Sequence, residues 1–384
     1  MAELLNIRVK TLTPLWTGGI DGACDRLHVS GIIGSLRWWY EAIIRGLGGD
    51  ACDPAGYDKC KFDLKEFQKD KNKGENEQDA LERAGLCDAC KIFGATGWSR
   101  RLRVKIDEHQ IMPAWNGPTL NIRPPDRSRG WFLNPGHWGT FTLILHGEKT
   151  ILEQLADLIL FLEQWGALGA KNQLGYGVFR LENRKEIEQY AGRWRWFVTG
   201  NKPAGECPDL RRFGFFNLRF KTENDHWWTY IPALERLLGE KNTARALKQT
   251  EERGMIPLAP VLKNTWRFHD WQGPFSIAQW LFGASRGEED RVRSKVNVSW
   301  AYRNGEEWEM RGWVWLPPKD GNGQVIASQH LQKLWECFCN ENIWSNVLKI
   351  NSPELVFRPA ERRWRGKTPE EVRGFLEESI CSSS

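Results

Sequence analysis

No apolar run in this chain of 384 residues approaches the ~18 residues needed for a membrane-spanning helix. The opening Met1-Ala2-Glu3-Leu4-Leu5-Asn6 lacks a basic segment followed by an apolar core. No secretory leader is therefore expected, and a cytoplasmic location follows as the default. The glycine-rich stretch 166–177 is neither a P-loop, since no Gly-Lys-Ser/Thr there leads into a helix, nor a dinucleotide fingerprint, since a helix precedes it and a strand follows it. Paired carboxylates spaced for metal-assisted hydrolysis are missing too. Composition is not extreme: 41% hydrophobic and 27% charged residues suit an ordinary globular protein. The length allows two domains with proper cores.

What the chain does have is a repeated phrase. The first copy is Ile92-Phe93-Gly94-Ala95-Thr96-Gly97-Trp98, followed by Arg100, Arg101 and Arg103. The second is Leu281-Phe282-Gly283-Ala284-Ser285-Arg286, followed by Arg291-Val292-Arg293-Ser294-Lys295-Val296. Internal repetition sets architecture, so two related modules are expected, each delivering arginines from a glycine turn. Charge clusters near the first copy. Residues 91–130 hold Lys91, Arg100, Arg101, Arg103, Lys105, Arg123, Arg127 and Arg129 against only Asp107, Glu108 and Asp126. That surplus equals the +5 of the whole chain. Such clustering is the footprint of a nucleic-acid partner, the plain alternative being a solvated face. The 22 tryptophans are expected mainly in cores, with twin pairs such as Trp38-Trp39 and Trp227-Trp228 placing one ring in and one out.

Periodicity orders the first half as strand, helix, strand, strand, helix, strand. Leu5, Ile7, Val9 and Thr11 alternate; a helix spans about 33–45; Leu102, Val104 and Ile106 mark a second strand. Phe141, Leu143 and Leu145 mark a third, Leu152 to Leu162 a second helix, and Tyr176 to Leu181 a fourth strand. This is the split βαβ order, shared with RNA-recognition modules. Residues 50–90 and 108–138 interrupt it, the first with a polar, mobile stretch at 69–79, the second with a projecting loop or hairpin. The expected class is α+β, with two tandem ferredoxin-like (βαββαβ) domains. The first covers 1–192, a Gly/Pro linker 193–209, and a degenerate second domain 210–384. Its strands are expected at 213–220, 292–298 and 308–315, and its helices at 230–248 and 329–347.

The chemistry concentrates in Gly166-Ala167-Leu168-Gly169-Ala170-Lys171-Asn172-Gln173-Leu174-Gly175-Tyr176-Gly177. Its glycines let backbone N–H groups approach a ligand closely, and Lys171, Asn172 and Gln173 suit phosphates or base edges. The simple alternative is a helix cap and turn, which a single glycine would satisfy.

This loop, the Cys90-Lys91-Ile92-Phe93-Gly94 phrase, Thr13-Pro14-Leu15-Trp16-Thr17-Gly18-Gly19 and Ser30-Gly31-Ile32-Ile33-Gly34-Ser35-Leu36-Arg37-Trp38-Trp39 together resemble RAMP proteins, the repeat-associated RNA-binding subunits of CRISPR effectors. The tandem layout is most similar to those of the type III-B Cmr complex. The resemblance implies binding of guide RNA and guide–target duplex near the guide 3′ end, beside other RAMP subunits. The RNA contacts then expected are Gly18, Gly19, Ser35, Arg37, Arg100, Arg101, Arg103, Arg123, Arg127, Arg129, Gly169, Lys171, Asn172, Gln173, Gly175, Tyr176 and Gly177. The counterpart loop of the second module, Leu348 to Glu354, has no glycine, so weaker RNA binding is expected there, with Arg362, Arg363, Arg365 and Lys367 as a further basic patch.

Nine cysteines in a cytoplasmic chain do not suggest disulfides. Cys52, Cys60, Cys87 and Cys90 offer two pairs within one insertion, the donor set of a structural zinc site. The alternative is two incidental pairs, with Cys90 packing beside Phe93. No catalytic cofactor is expected. Some RAMP relatives are endoribonucleases that use a histidine, which makes guide processing the competing function. The candidates His28, His109 and His137, and the loop acids Asp21, Asp25 and Asp126, form no pattern that supports it, so no nuclease activity is expected.

Overall fold

Strict alternation sets the first strand. In β1 (Ala2–Thr11), Leu5, Ile7 and Val9 are buried while Asn6, Arg8 and Lys10 are exposed, because successive strand side chains face opposite sides. The computed structural model describes every residue except 1, 58, 195, 197, 199–201, 203–204, 286–290, 352 and 382–384. Arg286 of the repeated phrase therefore lies outside the described residues, as does part of the expected linker.

After β1 come α1 (Val29–Gly46), β2 (Arg103–Pro113), β3 (His137–Glu148), α2 (Lys149–Trp165) and β4 (Phe179–Leu181). The sheet runs β4-β1-β3-β2 with every pairing antiparallel. The second half contains β5 (Phe213–Phe220), α3 (Pro232–Leu238), α4 (Lys241–Glu252), α5 (Ala259–Thr265), α6 (Phe275–Phe282), β6 (Val296–Val298), β7 (Ala301–Asn304) and β8 (Glu307–Trp315). It ends with α7 (Ser328–Cys339), α8 (Glu341–Leu348), β9 (Glu354–Arg358) and α9 (Pro369–Cys381). Its sheet runs β9-β5-β8-β7; β6 also pairs β8, and Met255–Ile256 pairs β7. With β6 and β7 taken as one interrupted strand, the second sheet repeats the order of the first.

The halves share cores rather than merely touching. α2 is apolar almost all round, with Ile151, Leu152, Leu155, Leu158, Ile159 and Leu162 buried, so it is a helix covered on several sides. Around it Phe213, Phe215, Trp313 and Phe375 of the second half join the first core. In return Trp115, Leu120, Ile122 and Leu133 of the first half enter the second core. A fully buried tryptophan such as Trp115 contributes on the order of 3–5 kcal/mol by the usual cost of truncation. Within 193–209, Trp194 and Trp196 are buried, and buried Asp157 of α2 accepts from the Arg193 and Trp194 amides and from Trp196 Nε1 at 2.9–3.0 Å. The described part of this segment is thus pinned to the first core.

Several local expectations change. The polar stretch 69–79 is ordered by the helices Leu64–Asn72 and Glu77–Arg83, capped by Asp63 and Asn76. Buried Asp70 also accepts from Arg83 Nε at 2.6 Å. The hairpin Leu120–Ile122/Trp131–Leu133 does not project; its apolar face is the part that enters the second core. The helix expected at 230–248 breaks into α3 and α4 around Gly239, and the one at 329–347 breaks at Asn340, whose side chain caps α8. The strand expected at 292–298 is two pieces, Arg291–Val292 and β6. Trp38 is out and Trp39 in, as expected, but Trp227 and Trp228 are both buried. No helix among the described residues is long and apolar enough to cross a membrane.

Candidate nucleic-acid interface

The glycine-rich loop joins α2 to β4, and its backbone requires glycine where it meets its neighbours. Gly169, Lys171, Gly175 and Gly177 have φ of 72°, 60°, 90° and 89°. A Cβ on Gly169 would lie 2.5 Å from the Trp16 carbonyl oxygen; one on Gly175 would lie 2.4 Å from Trp300 Cδ1. The loop is thus clamped between the start of the first half and β7 of the second. Asn172 Nδ2 donates to the Leu168 and Tyr176 carbonyls at 3.4 and 3.2 Å, which closes the loop on itself. Trp300 Nε1 donates to the Leu174 carbonyl at 2.8 Å, and Lys263 Nζ to the Gln173 carbonyl at 3.0 Å. Lys171 Nζ sits 3.1 Å from the centroid of Trp16, and its pKa is lowered by burial. Tyr176 is buried with edge-on contacts to Trp16 and Trp300, its hydroxyl donating to the Asn134 carbonyl.

The two Phe-Gly-Ala phrases are built alike. Gly94 has φ 90°, ψ 159° and Gly283 φ 87°, ψ 155°, each ending a short helix. Arg37 Nη1 donates to the Gly94 carbonyl at 3.0 Å, and Arg267 Nη1 to the Gly283 carbonyl at 2.7 Å. An arginine from the first half's α1, or from the turn Trp266–Asp270 that continues α5, fixes each phrase from behind. The first copy is partly neutralised: Arg37 also donates to Glu41 Oε1 at 2.7 Å and Cys90 Sγ at 3.3 Å, and Arg101 pairs with Glu77 and Glu148.

The second copy opens onto a cleft of about 830 Å³. The first half contributes Arg127, Arg129 and Gln173 to its wall, and the second half Lys263, Arg267, Arg291 and Arg293. Among the described residues no carboxylate lines it and none of these six cations makes an ion pair; Glu288, Glu289 and Asp290, just before Arg291, lie outside the described residues. The nearby carboxylate of Asp126 is engaged by Asn264 Nδ2 at 3.1 Å and His269 Nε2 at 3.1 Å. Arg127 lies over Phe268, 3.7 Å from the ring centroid. The cations feel one another: burial and then the charge of Arg127 lower the pKa of Arg267, and burial and then Arg267 bring Lys263 down to about 7. Six unpaired positive groups around one concavity suit a polyanion.

The other expected contacts fall elsewhere. Gly18 and Gly19 lie in a half-buried loop closed by Gly19 N to Ala23 O at 2.8 Å, beside the His28–Asp25 pair at 2.7 Å. Ser35 Oγ donates to the Ala167 carbonyl at 3.4 Å. Arg100 and Arg103 are exposed, Arg103 on edge strand β2, and Arg123 shares the docked hairpin but does not line the cleft. The C-terminal patch is largely compensated: Arg362 pairs with Glu341, Arg365 with Glu361 and Glu371, and Lys367 donates to the Phe213 carbonyl. Of the residues singled out from sequence, the cleft gathers Arg127, Arg129 and Gln173. It adds Arg291 and Arg293, which the repeated phrase had marked without their being counted among the RNA contacts, and Lys263 and Arg267, which the sequence reading did not select. Trp266-Arg267-Phe268 echoes Leu36-Arg37-Trp38, and that echo was the available signal.

Buried amines around the cleft make stability depend on pH. Burial lowers Lys263 to about 7, Lys295 to about 8, and Lys367 at the C-terminal end to about 7. Above these values the fold holds fewer protons than the unfolded chain, whose lysines titrate near 10.4. Stability therefore rises with pH between about 6.5 and 8.5, and is lost as pH falls through the folded values. Urea midpoints at the two ends of that range should show the rise, and Lys263→Met should reduce it.

Away from the cleft, the Sγ atoms of Cys52, Cys60, Cys87 and Cys90 lie within 4.8 Å of one another. Cys52 and Cys90 sulfurs are 3.6 Å apart, close to the ~3.8 Å between two thiolates sharing a tetrahedral zinc at about 2.3 Å each. The Cys52 amide donates to Cys87 Sγ at 3.4 Å and the Cys87 amide to Cys60 Sγ at 3.3 Å, an arrangement that stabilises thiolate. The four sulfurs fit a metal ion. Arg37, touching Cys90, ties this cluster to the first Phe-Gly-Ala phrase.

Comparison with known proteins places the first half. The family model of the RAMP superfamily matches residues 8–180. No curated protein matches the chain. Among solved structures, the apo crystal structure of Cmr1 from Pyrococcus furiosus aligns at 12% identity over 86% of this chain and 96% of that one, with a TM-score of 0.37. A chain of the type III-B Cmr-beta complex, bound to cognate target RNA and AMPPnP in the presence of ssDNA, aligns at 10% identity over 99% of both, also with a TM-score of 0.37.

Proposed function

Since the first half of this chain belongs to the RAMP superfamily, we propose that the protein is a non-catalytic RNA-binding subunit of a type III-B CRISPR (Cmr) complex. Within that complex it corresponds to the first-numbered RAMP subunit. It holds guide RNA and guide–target RNA near the guide 3′ end, in contact with neighbouring RAMP subunits. Two ferredoxin-like modules, 1–192 and 210–384, carry it, joined through 193–209.

The observation that supports this most is the cleft lined by six cations that, among the described residues, make no ion pair and meet no lining carboxylate. Guide-carrying proteins need contacts to phosphate and 2′-OH with little sequence preference, and arginines lining a groove supply them. In this reading the glycine-rich loop acts first as scaffold: it docks the first module on the second and supplies Gln173 to the groove. The four cysteines hold a structural zinc ion that fastens the insertion 50–90. Zinc there would organise the fold and play no part in chemistry at RNA.

The test is binding of single-stranded repeat RNA to the purified chain across a salt series. With three to five phosphates engaged, log K against log salt should slope by roughly −2 to −3.5, and the RNA should remain intact. A flat salt dependence, or a discrete metal-free cleavage product lost in His28→Ala, would count against it.

A further inference from the structure

Beside the basic cleft lies a second recess of about 620 Å³, sharing Ala284, Arg291 and Val292 with it. At its rim stands Phe275, the first residue of α6, with 66% of its surface exposed. An uncovered phenylalanine is not unusual alone, but this one borders an arginine-lined groove. Trp280 is also part of the recess, already covered: Lys295 Nζ lies 3.3 Å from its ring centroid, and Gly321 packs so close that a Cβ would meet the ring at 3.0 Å. Asp320 is the acid in the wall, and its carboxylate already accepts from the Asn322 and Gln324 amides at 2.9 and 3.0 Å. Ser276, Gln279 and Asn322 leave polar side chains along the same wall.

We propose that this recess receives one unstacked base of a single-stranded RNA, stacked on Phe275, while the adjoining phosphates follow Arg291, Arg293 and Arg129 through the cleft. The proposal rests on the RNA-binding reading and adds to it a substrate form and a site in the second module. Aromatic stacking beside a cationic track is how proteins hold single strands without reading sequence, since every base has a π-face. A continuous duplex keeps its bases stacked and could use only the arginines. The second module, which lacks a glycine-rich loop, would thus bind RNA through its Phe-Gly-Ala hairpin.

The experiment measures affinity for a short single-stranded RNA and for the corresponding RNA duplex, using the full chain and its Phe275→Ala, Phe275→Tyr and Arg291→Ala variants. Phe275→Ala should weaken single-strand binding by about 5- to 100-fold with the salt slope unchanged, and leave duplex binding untouched. Phe275→Tyr should restore it, and Arg291→Ala should reduce the slope by roughly 0.7. If Phe275→Ala binds single strands like the parent while Arg291→Ala weakens both RNAs, the stacking site is refuted and the RNA-binding reading survives. If the parent chain shows no salt-dependent RNA binding, both fall together. Phe275 is exposed, so its replacement leaves the cores intact.

Discussion

Replacing Arg127, Arg129, Arg291 and Arg293 together by alanine should weaken binding of single-stranded RNA on the order of 100-fold near 0.15 M salt. The slope of log K against log salt should lose most of its magnitude, up to about 2.8, because each phosphate contact to a single strand contributes about 0.7. The four come from both halves of the chain and face one cleft that no carboxylate lines among the described residues. None of them is buried, and among the described residues the guanidinium of Arg127 stacks on Phe268 while those of the other three make no hydrogen bond or ion pair. The variant should therefore keep its melting temperature to within a few degrees. Arg37→Ala should behave in the opposite way. Its guanidinium is engaged by Glu41, Gly94 and Cys90, so its loss should destabilise the first half and leave the salt slope intact. A quadruple variant with parental affinity would move the RNA, if any, to another face.

Removing the metal donors should have the other large effect. Purified protein should contain about one zinc per chain, and Cys87→Ser or Cys90→Ser should carry less than about 0.2, measured by elemental analysis under reducing conditions. The insertion 50–90 adds few residues to the first core, chiefly Leu81, Leu86, Cys87, Ala89 and Cys90. Structural zinc contributes folding free energy directly, so its loss should open this segment to protease at stretches such as 52–60 while β1 to β4 persist. Because Arg37 contacts Cys90, the opening should extend to Gly94 and lower the melting temperature of the whole first half. Metal-free protein with unchanged protease resistance would make the four cysteines packed thiols only.

Much of the scaffold could be read from the sequence because alternation and helical spacing act locally. Leu5, Ile7 and Val9 of β1, and the apolar stripe of α2, leave little choice of element or buried face. The repeated Phe-Gly-Ala phrase likewise marked two places where glycine takes the same backbone conformation. The site was harder, because a groove between modules belongs to neither segment alone. Arg37 and Arg101 looked like ligand residues by type and neighbourhood; only the fold shows Glu41, Glu77 and Glu148 neutralising them. Lys263 sits in an apolar-looking stretch, Pro257 to Leu262, and reads as an incidental helix lysine until Gln173 from the other half is brought against it. The 108–138 insertion looked polar and projecting, although Trp115, Leu120, Ile122 and Leu133 were spaced along it to form a docking face. In the second copy the arginines make no ion pair among the described residues, while in the first Arg101 is held by Glu77 and Glu148 and only Arg100 and Arg103 stay exposed.

The central claim is that RNA lies in the groove between the two halves. Ultraviolet crosslinking of the intact chain to single-stranded RNA, with crosslinked peptides identified by mass spectrometry, tests it most directly. Crosslinks should concentrate in 123–131, 171–174, 263–268 and 275–294. Crosslinks confined to 29–46 and 98–105, with the second half silent, would contradict it.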